Sequence, residues 1–342
     1  MSNLAQKNMT KITTKIIGVG GFGDFVLNQE EFKNVNEVIS INTDKQSQAT
    51  LPDSITKICI SDAGTGTGAN PEIGYKFALD RREQLISLLE GTDIVFLVAG
   101  IGKGTGTGAT AYLTELTKEL GIYSVVILRS PEMADGEFRI EKSSDFKNKI
   151  IKNSGAYIDI NNDNVIASAI SIGIDDINEA YKLGNQAVVD AVRGLVSIVN
   201  NFGSRNVDLE DFKATVKGSF AIKTGEYGKF NTDLSIYALE SKEARTALSV
   251  IELPTNSSDS LKKTMQSRKS INDSIDLTIC SQITGIINNP DIDEVSIIYV
   301  VSGFEKTLSE IRSQAGLKGA QARFNLPDRN GKSEMPNNSD GK

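Results

Sequence analysis

The sequence predicts an α/β protein in which a parallel, Rossmann-like sheet domain is joined by one long central helix to a smaller α+β domain. Three observations predict this. Short apolar runs alternate with segments of helical periodicity through the first half of the chain, glycine-rich loops follow several of those runs, and one long stretch keeps a single apolar face. Strands alternating with helices build a parallel sheet covered on both faces.

Taken in order, residues 1–10 are polar and read as a flexible segment. Strand-like runs follow at Lys15 to Val19, Val38 to Ile41, Ile94 to Val98, Val125 to Leu128 and Tyr157 to Ile160, with helical periodicity across Tyr75 to Glu90 and Ala109 to Leu120. These fill a nucleotide-binding domain over 11–175. From Asp176 to Asn200, Ile177, Ala180, Tyr181, Gly184, Val188, Ala191, Val192, Leu195 and Val199 recur at three- and four-residue spacing, so one face of a long helix is core. At 1.5 Å per residue it spans roughly 35 Å, and residues at its two ends lie on opposite sides of the molecule. The helix and the loop behind it occupy 176–218. The α+β domain covers 219–310, with strands at Ser274 to Ile283 and Glu294 to Phe304 and a turn zone at Asn288 to Asp291. Beyond it, 311–342 is rich in Asn, Gly, Lys and Pro and reads as a disordered tail.

Composition removes several classes of function. At 342 residues the chain has room for two cores. Its net charge of −7 lacks the basic footprint of a nucleic-acid binder. With no histidine, Ser-His-Asp and Cys-His chemistry and histidine metal ligation are excluded. Cys59 and Cys280 sit in strand-like stretches and read as buried free thiols. No apolar run approaches the roughly 18–20 residues of a membrane span, and no signal-peptide core opens the chain. A cytoplasmic protein without nucleic-acid partner or direct membrane insertion is expected.

The glycine loops carry the chemistry. Gly18-Val19-Gly20-Gly21-Phe22-Gly23 follows the first strand and fits G-x-G-x-x-G, with Asn42-Thr43-Asp44 closing the next strand. Alone this matches the dinucleotide fingerprint of nicotinamide or flavin enzymes. Two further loops stand beside it: Gly64-Thr65-Gly66-Thr67-Gly68-Ala69-Asn70, and Gly100-Ile101-Gly102-Lys103-Gly104-Thr105-Gly106-Thr107-Gly108, behind which a helix is expected to open at about Thr107. One loop serves a pyrophosphate; three at the ends of successive strands suit a compact triphosphate ringed by backbone N–H groups. The plain alternative is that the glycines serve tight turns.

In these residues the chain resembles FtsZ, the bacterial branch of the tubulin superfamily. Gly104 to Gly108 match most of the superfamily's GGGTGTG signature, Asn42-Thr43-Asp44 and Gly68 to Gly74 match FtsZ more closely than tubulin, and Asn206-Val207-Asp208-Leu209-Glu210-Asp211 matches its N-x-D-x-x-D loop. The similarity runs from about Lys15 to Gly218, with a weaker echo in the last two strands. It implies a GTPase that polymerises head-to-tail and works in bacterial cell division, at the cytoplasmic division site. The phosphates of GTP or GDP would be held by Gly20, Gly21, Ala69, Asn70, Gly104, Thr105, Gly106 and Thr107, with Asp44, Gly102, Lys103 and Gly108 also in the nucleotide site. Asp135, Arg139 and Asn162 would lie at the ribose, with Tyr181 and Asn185 at the base. Mg²⁺ would be bound mainly through phosphates and water, with no protein metal site. Asp208, Asp211 and Asn206 would be catalytic. Being beyond the far end of the long helix, they would act on the nucleotide of the next subunit. Without the resemblance, Asp208 and Asp211 read as a helix cap and a solvated first turn.

The pattern is broken in places. Phe22, Asp24 and Phe25 stand where the family has glycines and a guanine-binding asparagine; Asp24 takes that role if the loop is one residue shorter. Lys103 replaces a glycine and either bends to solvent or lies on a phosphate. Glu132 and Asp135 replace Phe and Glu in the stretch Pro131 to Arg139, and Ile160 to Asp163 keeps Asn162. For the family's apolar-and-basic docking peptide, residues 317–342 offer only Phe324-Asn325-Leu326-Pro327 as a weak candidate. Besides itself, the expected partners are other division proteins or a second FtsZ. Two alternatives remain: an FtsZ-like nucleotide-binding regulator that forms no long filaments alone, and a dinucleotide oxidoreductase.

Overall fold

The computed structural model describes residues 12–29, 32, 37–201, 203–226, 234–237, 244–254, 262–267, 269 and 281–304. The expectations for residues 1–10, the tail 311–342, Cys280 and the segment 274–280 fall outside the described residues.

The first half alternates as the apolar runs require: β1 (Thr14–Val19), α1 (Gly20–Leu27), β2 (Val38–Asn42), α2 (Lys45–Ala49), β3 (Thr56–Cys59), α3 (Pro71–Asp80), α4 (Arg82–Leu89), β4 (Ile94–Gly100), α5 (Gly104–Glu119), β5 (Tyr123–Ser130), α6 (Glu137–Asn153), β6 (Ala156–Asn161) and α7 (Asn162–Ser171). Strands β1, β2, β4, β5 and β6 are buried almost end to end, which is why they appear as continuous apolar runs rather than alternating ones. They pair in parallel in the order β3-β2-β1-β4-β5-β6. Strand order reverses between β1 and β4, and open α/β sheets bind ligands at such a switch point, beyond the carboxyl ends of the strands.

The long helix α8 (Ile177–Asn200) buries Ala180, Gly184, Val188, Ala191, Val192, Leu195 and Val199, with Asp176 capping its first turn through Asn178 N and Glu179 N. After it come α9 (Leu209–Thr215), β7 (Gly218–Glu226), β8 (Thr246–Leu253), β9 (Ser281–Asn288) and β10 (Ser296–Ser302). Strand β7 joins two sheet regions: its first two residues pair in parallel with β6, and its length runs antiparallel to β10. Ten strands thus form one sheet among the described residues.

Four expectations need correction. Tyr75 to Glu90 is two helices, broken at Arg81 (φ −103°, ψ 18°), whose guanidinium pairs with Asp62. The helix behind the last glycine loop opens at Gly104 rather than Thr107, because Thr105 to Gly108 are packed inside the protein and need no loop conformation. The strand placed at 274–283 runs on past Ile283 to Asn288, its described part, Ser281–Asn288, pairing in parallel with all of β8. Cys59 is free but only half-buried, its thiol donating to Ser61 O at 3.3 Å.

Candidate functional site

A cavity of about 550 Å³ opens at the switch point. Its walls come from the carboxyl end of each neighbouring strand. Val19, Gly21 and Phe22 follow β1, Asn42 to Asp44 follow β2, and Gly66, Thr67 and Ala69 lie in the loop after β3. Gly100 to Gly106 follow β4, Arg129 to Pro131 close β5, and Asn162 follows β6.

Glycine brings these segments together by allowing backbones to touch. A Cβ on Gly20, which sits at φ +71°, would stand 2.9 Å from Gly106 N; one on Gly104 would stand 2.6 Å from Asn70 O and 2.8 Å from Asn70 N. Both distances are shorter than real contacts, so the N-terminus of α5 is the point on which the first and third loops converge. A hydroxyl pair, Thr43 Oγ1 and Thr105 Oγ1 at 2.6 Å, ties in the second. Beyond Gly68, Ala69 has φ +59°, the one described non-glycine residue at positive φ. Left-handed backbone costs an ordinary residue about 1–2 kcal/mol, and here it is spent on a residue of the cavity wall.

Of the helix ends at the cavity, α2 and α7 are capped by side chains and α1 and α5 are not. Helices α2, α3, α7, α8 and α9 start at Asp44, Asn70, Asn161, Asp176 and Asp208, each accepting backbone N–H bonds through its side chain. Helices α1 and α5, which open on the cavity, have no side-chain cap. (Helices α4 and α6 lack one too, the first continuing from α3 through Arg81 and the second starting behind Gly136.) The leading N–H groups of α1 and α5, with the positive end of each helix dipole, are therefore offered to whatever fills the space. Lys103 and Arg129 are the cations of the wall and Asp44 its acid, a locally positive site in a chain of net charge −7. Asn162 adds a buried Oδ1 that accepts no hydrogen bond among the described residues.

The geometry suits an elongated polyanion with a polar sugar beside it. The strand order alone also suits a dinucleotide. What decides is the match of the sequence itself: residues 4–169 fit the model described as "Tubulin/FtsZ family, GTPase domain". Over this stretch the chain is similar to the GTPase domain of the Tubulin/FtsZ family. The chain is 36% identical over 208 residues to the "Cell division protein FtsZ" of Aquifex aeolicus, spanning 59% of this chain and 56% of that one. It is 33% identical over 230 residues to the protein of the same name from Coxiella burnetii, spanning 63% and 56%. The chain thus spans about half the length of the curated relatives it matches. Among solved structures, the M. jannaschii "FtsZ dimer, empty" superposes with a TM-score of 0.72 at 22% identity, over 88% of this chain and 90% of that one. CetZ2 from Haloferax volcanii superposes at 0.66 with 20% identity, over 91% and 99%. The fold is that of FtsZ and its relatives.

Of the residues named from sequence, Gly21, Asp44, Ala69, Gly102, Lys103, Gly104, Thr105, Gly106 and Asn162 line the cavity. Gly20 lies beneath it against Gly106, and Asn70 Oδ1 accepts from Glu72 N at 3.0 Å to start α3. Thr107 Oγ1 accepts from Gly102 N at 3.0 Å and holds the last loop. Gly108 packs on α3, where a Cβ would stand 1.9 Å from Pro71 O. Tyr181 and Asn185 are half-buried on the first turns of α8, outside the cavity wall. The side chains of Asp135 and Arg139 fall outside the described residues.

Asp24 does not face a base. It is 3% exposed and accepts from Ser40 Oγ at 2.5 Å, Asn42 Nδ2 at 2.6 Å and Ser47 Oγ at 2.7 Å, so its carboxylate knits α1 to β2 and α2 beneath the site. Three donors converging on it from other elements hold it inward.

The acids lie after α8, whose 24 residues span roughly 36 Å. Asp208 Oδ1 accepts from Asp211 N at 2.7 Å and caps α9; Glu210 pairs with Lys213 at 3.0 Å. Asp211 is half-buried and its carboxylate has no ion pair among the described residues. Asn206 Oδ1 accepts from Gly203 N at 2.7 Å and shapes the turn between α8 and α9.

Thr43 stands in the sequence only within the Asn42-Thr43-Asp44 motif, while Arg129 and Ser130 of the wall belong to no motif. Arg129 carried a signal, a charge at the end of the apolar run Val125 to Leu128. Ser130, which accepts from Lys147 Nζ at 2.9 Å beside the buried Lys147–Asp159 pair, carried none.

Proposed function

We propose that this chain binds GTP in the cavity at the switch point and hydrolyses it when subunits stack head-to-tail into a filament that serves bacterial cell division. The observation that carries the reading is the pair of uncapped helix N-termini, α1 and α5, converging on one cavity in a domain similar to the Tubulin/FtsZ GTPase domain. Gly20, Gly21, Ala69 and the Gly102 to Thr107 segment hold the phosphates through backbone N–H groups, and Asp44 shapes the second loop by capping α2. Asn162, with its unpartnered Oδ1, takes a ribose hydroxyl. Asp135 and Arg139 are assigned to the ribose by resemblance, and Tyr181 with Asn185 to the base.

Among the described residues no three acidic or cysteine side chains form a cluster able to hold a metal. The wall suits a Mg²⁺ ion held by phosphate oxygens and water, which would offset charge on the departing phosphate.

Phosphoryl transfer asks the protein mainly for positioning and charge stabilisation. The cavity fixes the γ-phosphate; the remaining need is a group that orients water. Asp211 suits that task better than its neighbours, since Asp208 is engaged as a cap and Glu210 with Lys213. The length of α8 keeps Asp211 from its own nucleotide and presents it to the next subunit's, a heterologous contact that propagates into a filament. The relatives' names place such proteins in cell division; this chain is assigned there, in the cytoplasm at the division site, with itself as main partner and other division proteins or a second FtsZ as further ones. No helix among the described residues is long and apolar enough to cross a membrane.

GTP turnover per subunit, measured against protein concentration with ATP as control, tests the reading. It should appear only above a critical concentration and vanish in Asp211→Ala while GTP still binds. Turnover independent of concentration, or binding without turnover, would instead favour a regulator that does not polymerise alone.

A further inference from the structure

Arg129 is a buried cation without an adequate partner. It is 7% exposed at the carboxyl end of β5 and lines the cavity. Its contacts are spare: Nη1 donates to Ile160 O at 3.4 Å, and among the described residues no carboxylate lies within ion-pair distance. A guanidinium carries five N–H donors in a fixed fork. The rest of this one lies against Gly184 of α8, where a Cβ would stand 2.3 Å from Nη2 and 2.5 Å from Cζ, so a larger residue there would push the guanidinium aside. Burial pushes its pKa down to about 10, with Tyr181 and Glu132 acting weakly the other way. A charge removed from water costs free energy unless an opposite charge or full hydrogen bonding replaces the solvent.

We propose that Arg129 is the fixed counter-charge for the nucleotide's phosphates, its buried guanidinium pairing with a di- or triphosphate in the cavity. The inference rests on the nucleotide-binding reading and adds a residue to it. Three features point the same way: Arg129 lines the cavity, most of its guanidinium donors have no acceptor among the described residues, and the other walls present backbone N–H groups suited to the same anion. A guanidinium pairs with phosphate through two parallel hydrogen bonds. Arg129 would then also tie nucleotide occupancy to α8, since the side chain that meets the phosphates rests on Gly184 of that helix.

The test titrates guanosine, GMP, GDP and GTP into the full chain as wild type, Arg129→Met and Arg129→Lys, with the thermal midpoint of each protein measured free of nucleotide. The proposal expects Arg129→Met to bind GDP and GTP at least about tenfold more weakly, the range of a lost charge-assisted bond. Guanosine affinity should be unchanged and the nucleotide-free midpoint no lower than wild type, because an unpaired buried charge has been removed. Arg129→Lys should recover part of the loss. Unchanged GDP affinity in Arg129→Met overturns the proposal, as does an equal loss with guanosine, which would put the guanidinium on the base. Should Arg129→Met fail to fold, Arg129→Gln keeps a donor for Ile160 O and makes the same comparison. Wild type that binds no guanine nucleotide at all would sink the nucleotide-binding reading itself, a result distinct from either.

Discussion

Gly21 separates the two reasons a loop can be rich in glycine. Gly20, Gly104 and Gly106 are required by the fold, since a Cβ on any of them meets backbone within 3 Å. Gly21 is different: it is the second residue of α1, is exposed, and a Cβ there would find only Ser47 Oγ, at 4.0 Å. For folding alone, Gly21→Ala is therefore an improvement in helix propensity, worth about 0.5–1 kcal/mol. Yet Gly21 lines the cavity. A methyl group at the uncapped start of α1 competes for the space of a phosphate oxygen and weakens hydrogen bonds to charge worth about 1.5–3 kcal/mol, a ten- to hundredfold rise in Kd at about 1.4 kcal/mol per factor of ten. Urea denaturation without nucleotide, paired with GTP titration, reads both effects. The expected outcome is stability equal to or above wild type together with GTP affinity lowered at least tenfold. Unchanged GTP affinity would refute the reasoning that the phosphates sit on α1, and lost stability would show that the fold alone needs this glycine.

Other predictions follow from the same contacts. Gly106→Ala places a methyl 2.3 Å from Gly100 O, backbone that cannot swing aside, and should lower stability by about 1–3 kcal/mol in the same urea experiment. Asp24→Ala strips the acceptor from Ser40, Asn42 and Ser47 and should cost about 3 kcal/mol, while competition between GTP and ATP keeps the wild-type preference; altered base selectivity would return Asp24 to the base. Burial, helped in Tyr75 by its hydrogen bond to Glu115, raises the phenols of Tyr75 and Tyr123 from 10.0 to about 12. The folded state then holds these protons more tightly than the unfolded one, so stability is intact below pH 10 and falls between pH 10 and about 12. Denaturation midpoints followed alongside tyrosinate absorbance should show that fall, shallower in Tyr123→Phe; an equally steep fall in that variant would contradict the assignment to Tyr123.

Much of this is legible in the sequence because the relevant forces are local in it. Strands β1, β2, β4, β5 and β6 are buried on both faces, so each appears as an unbroken apolar run; α8 has one buried face, so its period shows. The glycine loops declare themselves by composition. What stayed hidden depends on partners far along the chain. The break at Arg81 has no Pro or Gly to mark it and coincides with a pairing to Asp62. The run of β9 past Ile283 to Asn288 goes with its pairing to β8, some thirty residues earlier. Asp24 turns inward because Ser40, Asn42 and Ser47 are brought to it by β2 and α2, a convergence that no local pattern announces. The glycines of α5 proved to have two duties, backbone contact at Gly104, Gly106 and Gly108 and the open helix end above them, which composition alone cannot divide.

The central claim, an active site divided between subunits, is tested most directly by mixing two variants that each lack one half. Asp211→Ala keeps the cavity and loses the acid; Gly21→Leu keeps the acid and fills the cavity. Each alone should turn over no GTP, and the mixture should regain turnover as the cavity of the first meets the acid of the second across a head-to-tail contact. A mixture as silent as its parts, or wild-type turnover by Asp211→Ala alone, would contradict the account.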